Sequence, residues 1–285
     1  METTGSTLLV TNQYPWGTFY KREGRSWEDN LKTALGEVKQ SGADSLEPSL
    51  RSVEQLDELC SQLDASGLGM ITAYVNSTLH EQDQANQSIE EVLAIAKRAK
   101  ALMGTKIFVT NPSPIRWGGP ENKTDEQLMT QAEALQALGK ALHEEDIHLA
   151  YHFHDPEFRE GAREVHHMLA GTDPRYVKLC LDAHWAYRGA GDSNVALHDL
   201  VSLYGSRIVE LHIRQSHNGV WSEAFGGGDI DYNRLVKEVN DLGVKPVVCM
   251  EQAVEKTSPN TMNGLEAHRI SHSTARKVFK PFLSA

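Results

Sequence analysis

The sequence predicts a single-domain α/β protein, a (β/α)8 TIM barrel, on three observations. Apolar strand-like runs alternate with amphipathic helical runs about eight times without interruption. The length of 285 residues is close to the ~250 typical of that barrel. No Pro-, Ser- or charge-rich linker divides the chain, so one domain over residues 1–285 is expected. A doubly wound open sheet is the rival, but it carries a glycine fingerprint after its first strand, and NQYPWG is not one.

The elements follow in order. Strand one is the short apolar run Leu8 to Val10, which leads through Asn12, Gln13, Pro15 and Trp16 to a helix capped by Ser26 and carrying Leu31, Leu35 and Val38 on one face. Gly42 ends that helix. Strand two is Ala43 to Glu47, stopped by Pro48, and Val53 to Leu63 is its helix. Strand three, Leu68 to Val75, is followed by a polar loop through His80 and a helix from Ser88 to Met103. Strand four, Lys106 to Thr110, enters a long loop with Pro112, Pro114, Trp117 and Pro120, a length and composition that mark a working loop. A helix from Asp125 to His143, strand five from Ile147 to His154 and a helix from Gly161 to Ala170 come next. Strand six is Val177 to Asp182, with the helix Asn194 to Tyr204 behind it. Strand seven is the β-branched run around Ile208 to Ile213, then a loop with Gly226, Gly227 and Gly228, and a helix from Tyr232 to Leu242 capped by Asp231. Strand eight is Pro246 to Glu251, and the last helix falls within Glu266 to Leu283.

A formal charge of -11 and a pI near 5.6 argue against nucleic acid or an anionic membrane as the main partner, since both call for a basic face. Cys60, Cys180 and Cys249 are too few, and odd in number, for a disulfide framework; a reducing cytoplasm is the expected location. The start METTGSTLLV has no basic segment followed by a long apolar stretch, so no leader peptide is expected. A homo-oligomer is left open.

In a barrel of this kind the carboxyl ends of all strands share one mouth. Strand two brings Glu47 there, strand five His152 and His154, strand six Asp182 and His184, strand seven His212 and Arg214, and strand eight Glu251. Glu210, His212 and Arg214 share a side because strand side chains alternate with period two. Singly, His154 or His184 reads as a core histidine bonded to a carbonyl, and Glu47 as a turn carboxylate. Asp182 and Glu251 sit where a plain core strand would stay apolar, and so many buried ionisable groups need a cation to organise them. Mixed oxygen and nitrogen donors suit one divalent ion, Mn foremost and Zn, Co or Fe next, with Mg less matched to the nitrogens. Trp16, Trp117, Trp185 and Trp221 fall in loops after strands and are either plugs or apolar walls for a sugar. The three glycines 226–228 free the backbone to approach a ligand closely.

With these residues assembled, the chain resembles the xylose-isomerase-like barrel superfamily of sugar phosphate isomerases and epimerases. The carriers are GADSLE, SIEEVLAIAKRAKALMGTKIFV, LAYHFH, KLCLDAHW, VELHIR with GGGDIDY, and VVCMEQ, spread over nearly the whole chain. The resemblance implies one divalent ion held from strands five to eight: Asp182, His212 and Glu251 match the last three ligands, and His152 takes the place of the family's strand-five glutamate. The Tyr151-His152-Phe153-His154 run is similar to the inosose-dehydratase branch. That branch implies a metal-dependent lyase on a keto-polyol or keto-sugar, working through an enolate. His154 or Glu251 would remove the α proton, while Arg214, Glu47 and His184 would hold substrate hydroxyls. An epimerase or isomerase using the same site is the alternative, a non-catalytic sugar-binding barrel the next, and a trinuclear-zinc DNA-repair barrel the most distant.

Overall fold

The structure, a computed structural model, describes residues 8–283; the METTGST start lies outside them. Eight parallel strands close on one another: β1 (Leu9–Asn12), β2 (Ser45–Glu47, resumed at Ser49–Leu50), β3 (Thr72–Val75), β4 (Ile107–Thr110), β5 (His148–Tyr151), β6 (Val177–Asp182), β7 (Ile208–Ile213) and β8 (Val247–Met250). β1 pairs with β2 on one side and β8 on the other, and the remaining strands pair in sequence order. Closure runs through β2, which Pro48 splits: the segment before it pairs with β1 and the segment after it with β3. Pro48 has no N–H to give to a ladder, but its carbonyl accepts from Tyr74 N at 2.9 Å, so the seam stays bonded.

The helices wrap the outside: α1 (Gln13–Arg22), α2 (Leu31–Gln40), α3 (Val53–Ser66), α4 (Gln82–Met103), α5 (Asp125–Glu144), α6 (Arg159–Ala170), α7 (Ala183–Gly189), α8 (Asn194–Tyr204), α9 (Tyr232–Asp241), α10 (Gly264–Val278) and α11 (Lys280–Leu283). Two cores result. A large shell of side chains lies between strands and helices, and a smaller plug, including Val10, Val109, Ala150, Cys180, Val209 and Cys249, comes from six different strands and fills the barrel axis. Along β5 the alternation is clean: Leu149, Tyr151 and Phe153 join the outer shell while Ala150 faces the axis.

Several expectations shift. The NQYPW stretch is not a loop but the start of α1, capped by Asn12 Oδ1, which accepts from Tyr14 N at 2.7 Å; Pro15 is tolerated because first-turn N–H groups have no helical partner. Ser26 caps no helix: its Oγ accepts from Asp29 N at 3.1 Å in a local turn, and α2 begins at Leu31. Ser88 lies inside α4, where its Oγ accepts from Thr78 N at 3.0 Å. Strand five ends at Tyr151; His152 continues it only through its N–H to Thr110 O at 2.8 Å. Asp231 caps α9 as expected, accepting from Asn233 N and Arg234 N.

α5 seats its Gly139 against the chain entering β6, where an added Cβ would lie 2.6 Å from Tyr176 O. Gly36, inside α2, has nothing within 4 Å of that position. Gly139→Ala is therefore expected to destabilise by about 1–3 kcal/mol through overpacking, while Gly36→Ala stabilises by about 0.5–1 kcal/mol through helix propensity. Urea denaturation of the two variants beside the parent checks the contrast.

Candidate active site at the barrel mouth

The carboxyl ends of the strands surround a cavity of about 420 Å³, whose lining includes His154, Arg214 and Glu251. The side chains at its base and beneath it are aimed by register. β7 pairs with β6 through a shift at Leu179/Cys180, so Cys180 stands beside Glu210 and Asp182 beside His212. Val209 and Glu210 both turn inward there: Val209 joins the axial plug, and Glu210 accepts from Thr72 Oγ1 at 2.8 Å. On the other flank Cys249 pairs with His212, and Glu251 N donates to Ile213 O at 3.0 Å, which brings Glu251 up beside Arg214.

Two ionisable layers form. In the lower one, Glu47 accepts from Asn12 Nδ2 at 2.5 Å and from Thr72 Oγ1 at 3.1 Å, and Thr72 also serves Glu210. Burial, then the neighbouring charge of Glu47, pushes the Glu210 carboxyl up to about 7. Burial also raises Glu47, but the His212 imidazole and the Asn12 amide outweigh it and leave Glu47 below its ordinary value. In the upper layer, ligand atoms of His152, Asp182, His212 and Glu251 all lie within 4.8 Å of one another. His152 Nε2 is 3.6 Å from Asp182 Oδ2, and His212 Nδ1 is 3.6 Å from Glu251 Oε2.

The donor chemistry of the upper layer fits a divalent cation. Both ring nitrogens of His152, Nδ1 of His212 and Asp182 Oδ2 are buried with no hydrogen-bond partner among the described residues, whereas His212 Nε2 faces Glu47 Oε1 in the lower layer at 3.1 Å. Orphaned buried polar atoms of this number cost roughly 1–3 kcal/mol each unless something satisfies them. Asp182 Oδ1, by contrast, is committed, accepting from Trp185 N at 2.7 Å as the N-cap of α7. Glu47, Glu210, His212 and Cys249 also cluster closely, but there both oxygens of Glu47 and Oε2 of Glu210 are hydrogen-bonded, and burial pushes the Cys249 thiol well up, so that Sγ remains a protonated donor toward Glu47. The upper group is the better cage.

Arg214 and Glu251 form the clamp at the cavity floor. Arg214 Nη2 donates to Glu251 Oε2 and Nε to Glu251 O, both at 2.8 Å, and the guanidinium lies 4.0 Å over the Trp221 ring. Burial raises the Glu251 carboxyl, yet the Arg214 charge and His212 overcome it and hold it far below the usual range. His154 hydrogen-bonds through Nδ1 to Asn111 Oδ1. Because Asn111 Nδ2 donates to Pro112 O at 3.2 Å, Oδ1 is the acceptor, which puts the His154 proton on Nδ1 and the lone pair on Nε2. Burial, then the proximity of His152, lowers the His154 pKa well below its ordinary value.

Of the residues expected at the mouth, the structure brings His152, His154, Asp182, His212, Arg214 and Glu251 together. Two are placed elsewhere. Glu47 is fully buried in the lower layer, and His184 points aside, its Nε2 at 3.0 Å from Ser216 Oγ. Glu47 is taken up by Asn12 and Thr72 and His184 by Ser216, so neither is placed to hold a substrate hydroxyl. Trp117 and Trp185 line it; Trp16 is core, with Nε1 donating to Thr11 Oγ1 at 3.1 Å and its ring stacked on His268, and Trp221 lies beneath Arg214. Of the glycine triplet, Gly228 makes a close approach, but to Ser216 O and Gln215 of its own chain rather than to the cavity. Sequence reasoning passed over Asn12, Tyr14, Tyr74, Asn76 and Asp155, all on the lining, as well as Asn111. Asn12, Asn76 and Asn111 end or follow strands β1, β3 and β4, so the strand-end rule could have found them had amides been weighed beside carboxylates and imidazoles.

Behind His154 lies Glu157, whose Oε2 accepts from His154 N at 2.6 Å while Oε1 has no partner among the described residues. Burial, then Glu164, pushes its carboxyl up from 4.5 to about 7. Between those values the native state holds a proton that the unfolded chain has lost, so this group's contribution is complete below 4.5 and is lost as pH rises through 7. Glu157→Gln keeps the protonated shape at every pH. The stability of the parent relative to this variant is therefore expected to fall across that window and to level off above it, as read by thermal unfolding at closely spaced pH values.

Comparisons with known proteins agree with this architecture. An inosose dehydratase of Bacillus velezensis is 29% identical over 126 residues, 44% of this chain and 39% of that protein, so the match spans well under half the length of that relative. A sugar phosphate isomerase/epimerase structure from Parabacteroides distasonis superposes with a TM-score of 0.70 at 18% identity, covering 97% of this chain and 95% of that one. D-psicose 3-epimerase of Clostridium cellulolyticum, solved with D-tagatose, gives 0.66 at 17% identity over 97% and 95%. At such identities the two structures speak to the fold. The profile of the xylose isomerase-like TIM barrel family matches residues 35–271, and the chain belongs to that family.

Proposed function

We propose that this protein is a divalent-metal-dependent carbon–oxygen lyase that removes water from a keto-polyol or keto-sugar. The observation that carries the reading is His152 in the cluster with Asp182, His212 and Glu251, where a second carboxylate would equip the mouth with two acid–base groups of one kind. Of the two carboxylates on the lining, Asp155 and Glu251, the one that belongs to this cluster, Glu251, is clamped by Arg214 and is a weak base. His154, also on the lining, is the better placed proton acceptor, because its bond to Asn111 uses Nδ1 and leaves the Nε2 lone pair free. The inosose dehydratase of Bacillus velezensis supports the same class.

His152, Asp182, His212 and Glu251 would hold the cation. When bound it supplies a Lewis acid for a substrate carbonyl and a neighbouring hydroxyl. His154 Nε2 takes the proton from the carbon next to the carbonyl; the C–H electrons form the new double bond as the β C–O bond breaks. Returned to the departing hydroxyl, that proton completes the water released. Arg214 Nη1, buried and without a partner among the described residues, is available to orient a substrate oxygen. Trp117 and Trp185 flank His154, ring centroids 5.3 and 5.2 Å away, and keep bulk water from the base.

Epimerisation of a ketose is the second reading, favoured by Glu251 lining the same cavity as His154. Incubating Mn-loaded protein in D2O with 2-keto-inositol and a panel of ketoses separates the two. Growth of enone absorbance is expected, with a fall of about 10²–10⁴-fold in His154→Ala; recovery of deuterated epimers with no water lost would replace the lyase reading. Mn is expected to raise the melting temperature, since a ligand at 100 times its Kd adds about 2.7 kcal/mol. Asp182→Asn should weaken Mn binding in calorimetry by at least the roughly 10–100-fold that losing an outer-shell partner costs.

A further inference from the structure

The cavity is polar at its floor and aromatic at its rim. Arg214, Glu251 and His154 form the floor, and Tyr74 and Trp185 stand on the walls. Tyr14 and Trp117 carry the lining outward to solvent, with 50% and 54% of their surfaces exposed. They come from different elements, the start of α1 and the loop after β4, and open onto one space. Half-exposed rings next to a pocket are what a ligand's flat face covers. The volume, about 420 Å³, falls in the range of roughly 300–1,000 Å³ that encloses ligands of drug size, more than one sugar ring needs.

Charge narrows the ligand further. The lining carries Asp155 and Glu251 against the single guanidinium of Arg214, and no lysine. Arg214 already gives two donors to Glu251. A phosphoryl group would meet two carboxylates and one guanidinium that keeps a single free group, Nη1.

We propose that the ligand is an uncharged glycoside. Its sugar ring sits on the Arg214 and Glu251 floor, and its second ring, aryl or sugar, lies against Tyr14 and Trp117. This rests on reading the mouth as a keto-sugar site and adds to it the absence of phosphate and the presence of an aglycone.

Calorimetric titration of the Mn-loaded full chain with glucose, glucose 6-phosphate, phenyl β-glucoside and cellobiose tests it without turnover. At least one glycoside is expected to bind about tenfold tighter than glucose, the scale of one or two ring contacts, and glucose 6-phosphate more weakly than glucose. Phenyl glucoside ahead of cellobiose identifies an aryl aglycone, and the reverse a second sugar. Trp117→Ala and Tyr14→Ala, both at exposed positions, should bring the glycoside-to-glucose ratio toward one, with circular dichroism confirming the fold. Glucose equal to both glycosides, glucose 6-phosphate tightest, an unchanged ratio in both variants, or no saturable binding of any probe would overturn the proposal. Its failure is separable from that of the lyase reading. Dehydration of free keto-polyols without glycoside preference sinks this inference alone, and glycoside binding without proton exchange from a keto substrate sinks the other alone.

Discussion

The mouth of this barrel hangs on how β7 is registered against β6. The shift at Leu179/Cys180 sets Asp182 beside His212; without it Asp182 would stand beside Leu211, whose side chain belongs to the outer shell. Extra residues of this kind re-aim side chains at strand ends. Here the effect is to put a carboxylate and an imidazole on the same face at the same height. β8 then adds Glu251 from the opposite flank and β5 adds His152. Four elements each contribute one side chain, and none could gather the set alone.

Such a gathering is unfavourable for the bare protein, and the surroundings show how the cost is contained. Below it, Thr72 bridges Glu47 and Glu210, and burial raises the Glu210 carboxyl to about 7, so that near neutral pH it is partly protonated and spares the axis part of a second negative charge. Above it, Arg214 neutralises Glu251 and is itself sandwiched against Trp221. One nitrogen each of His152 and His212, with the free oxygen of Asp182 and a carboxylate oxygen of Glu251, are left within 4.8 Å of one another. Strained or unsatisfied groups concentrate where a protein binds something. The same logic fixes His154 indirectly: Asn111, turned by its own bond to Pro112, determines which imidazole nitrogen carries the proton.

Much of this was legible in the sequence because strand periodicity and strand order are local properties. The run of Ile208 to Ile213 predicts a buried strand, and the polar residues that interrupt apolar strands, Asp182 and Glu251 above all, predict a mouth where charge gathers. The errors came where neighbours decide. Glu47 has the same strand-end position as Glu251, but Asn12 and Thr72 reach it first and draw it into the lower layer. His184 is two residues past Asp182, yet the immediate start of α7 turns it toward Ser216. Trp16 and Trp117 both follow strands, and packing against His268 and Trp27 makes one of them core.

The sequence by itself determined the strand–helix alternation, and through it the barrel, the strand ends and the identity of the donors, because hydrophobic period and chemical type are written residue by residue. Tertiary structure decided which donors share a height, which are already hydrogen-bonded, and which aromatic rings face the cavity. Those depend on the inter-strand register and on contacts between residues tens to hundreds of positions apart, quantities that a periodicity cannot encode.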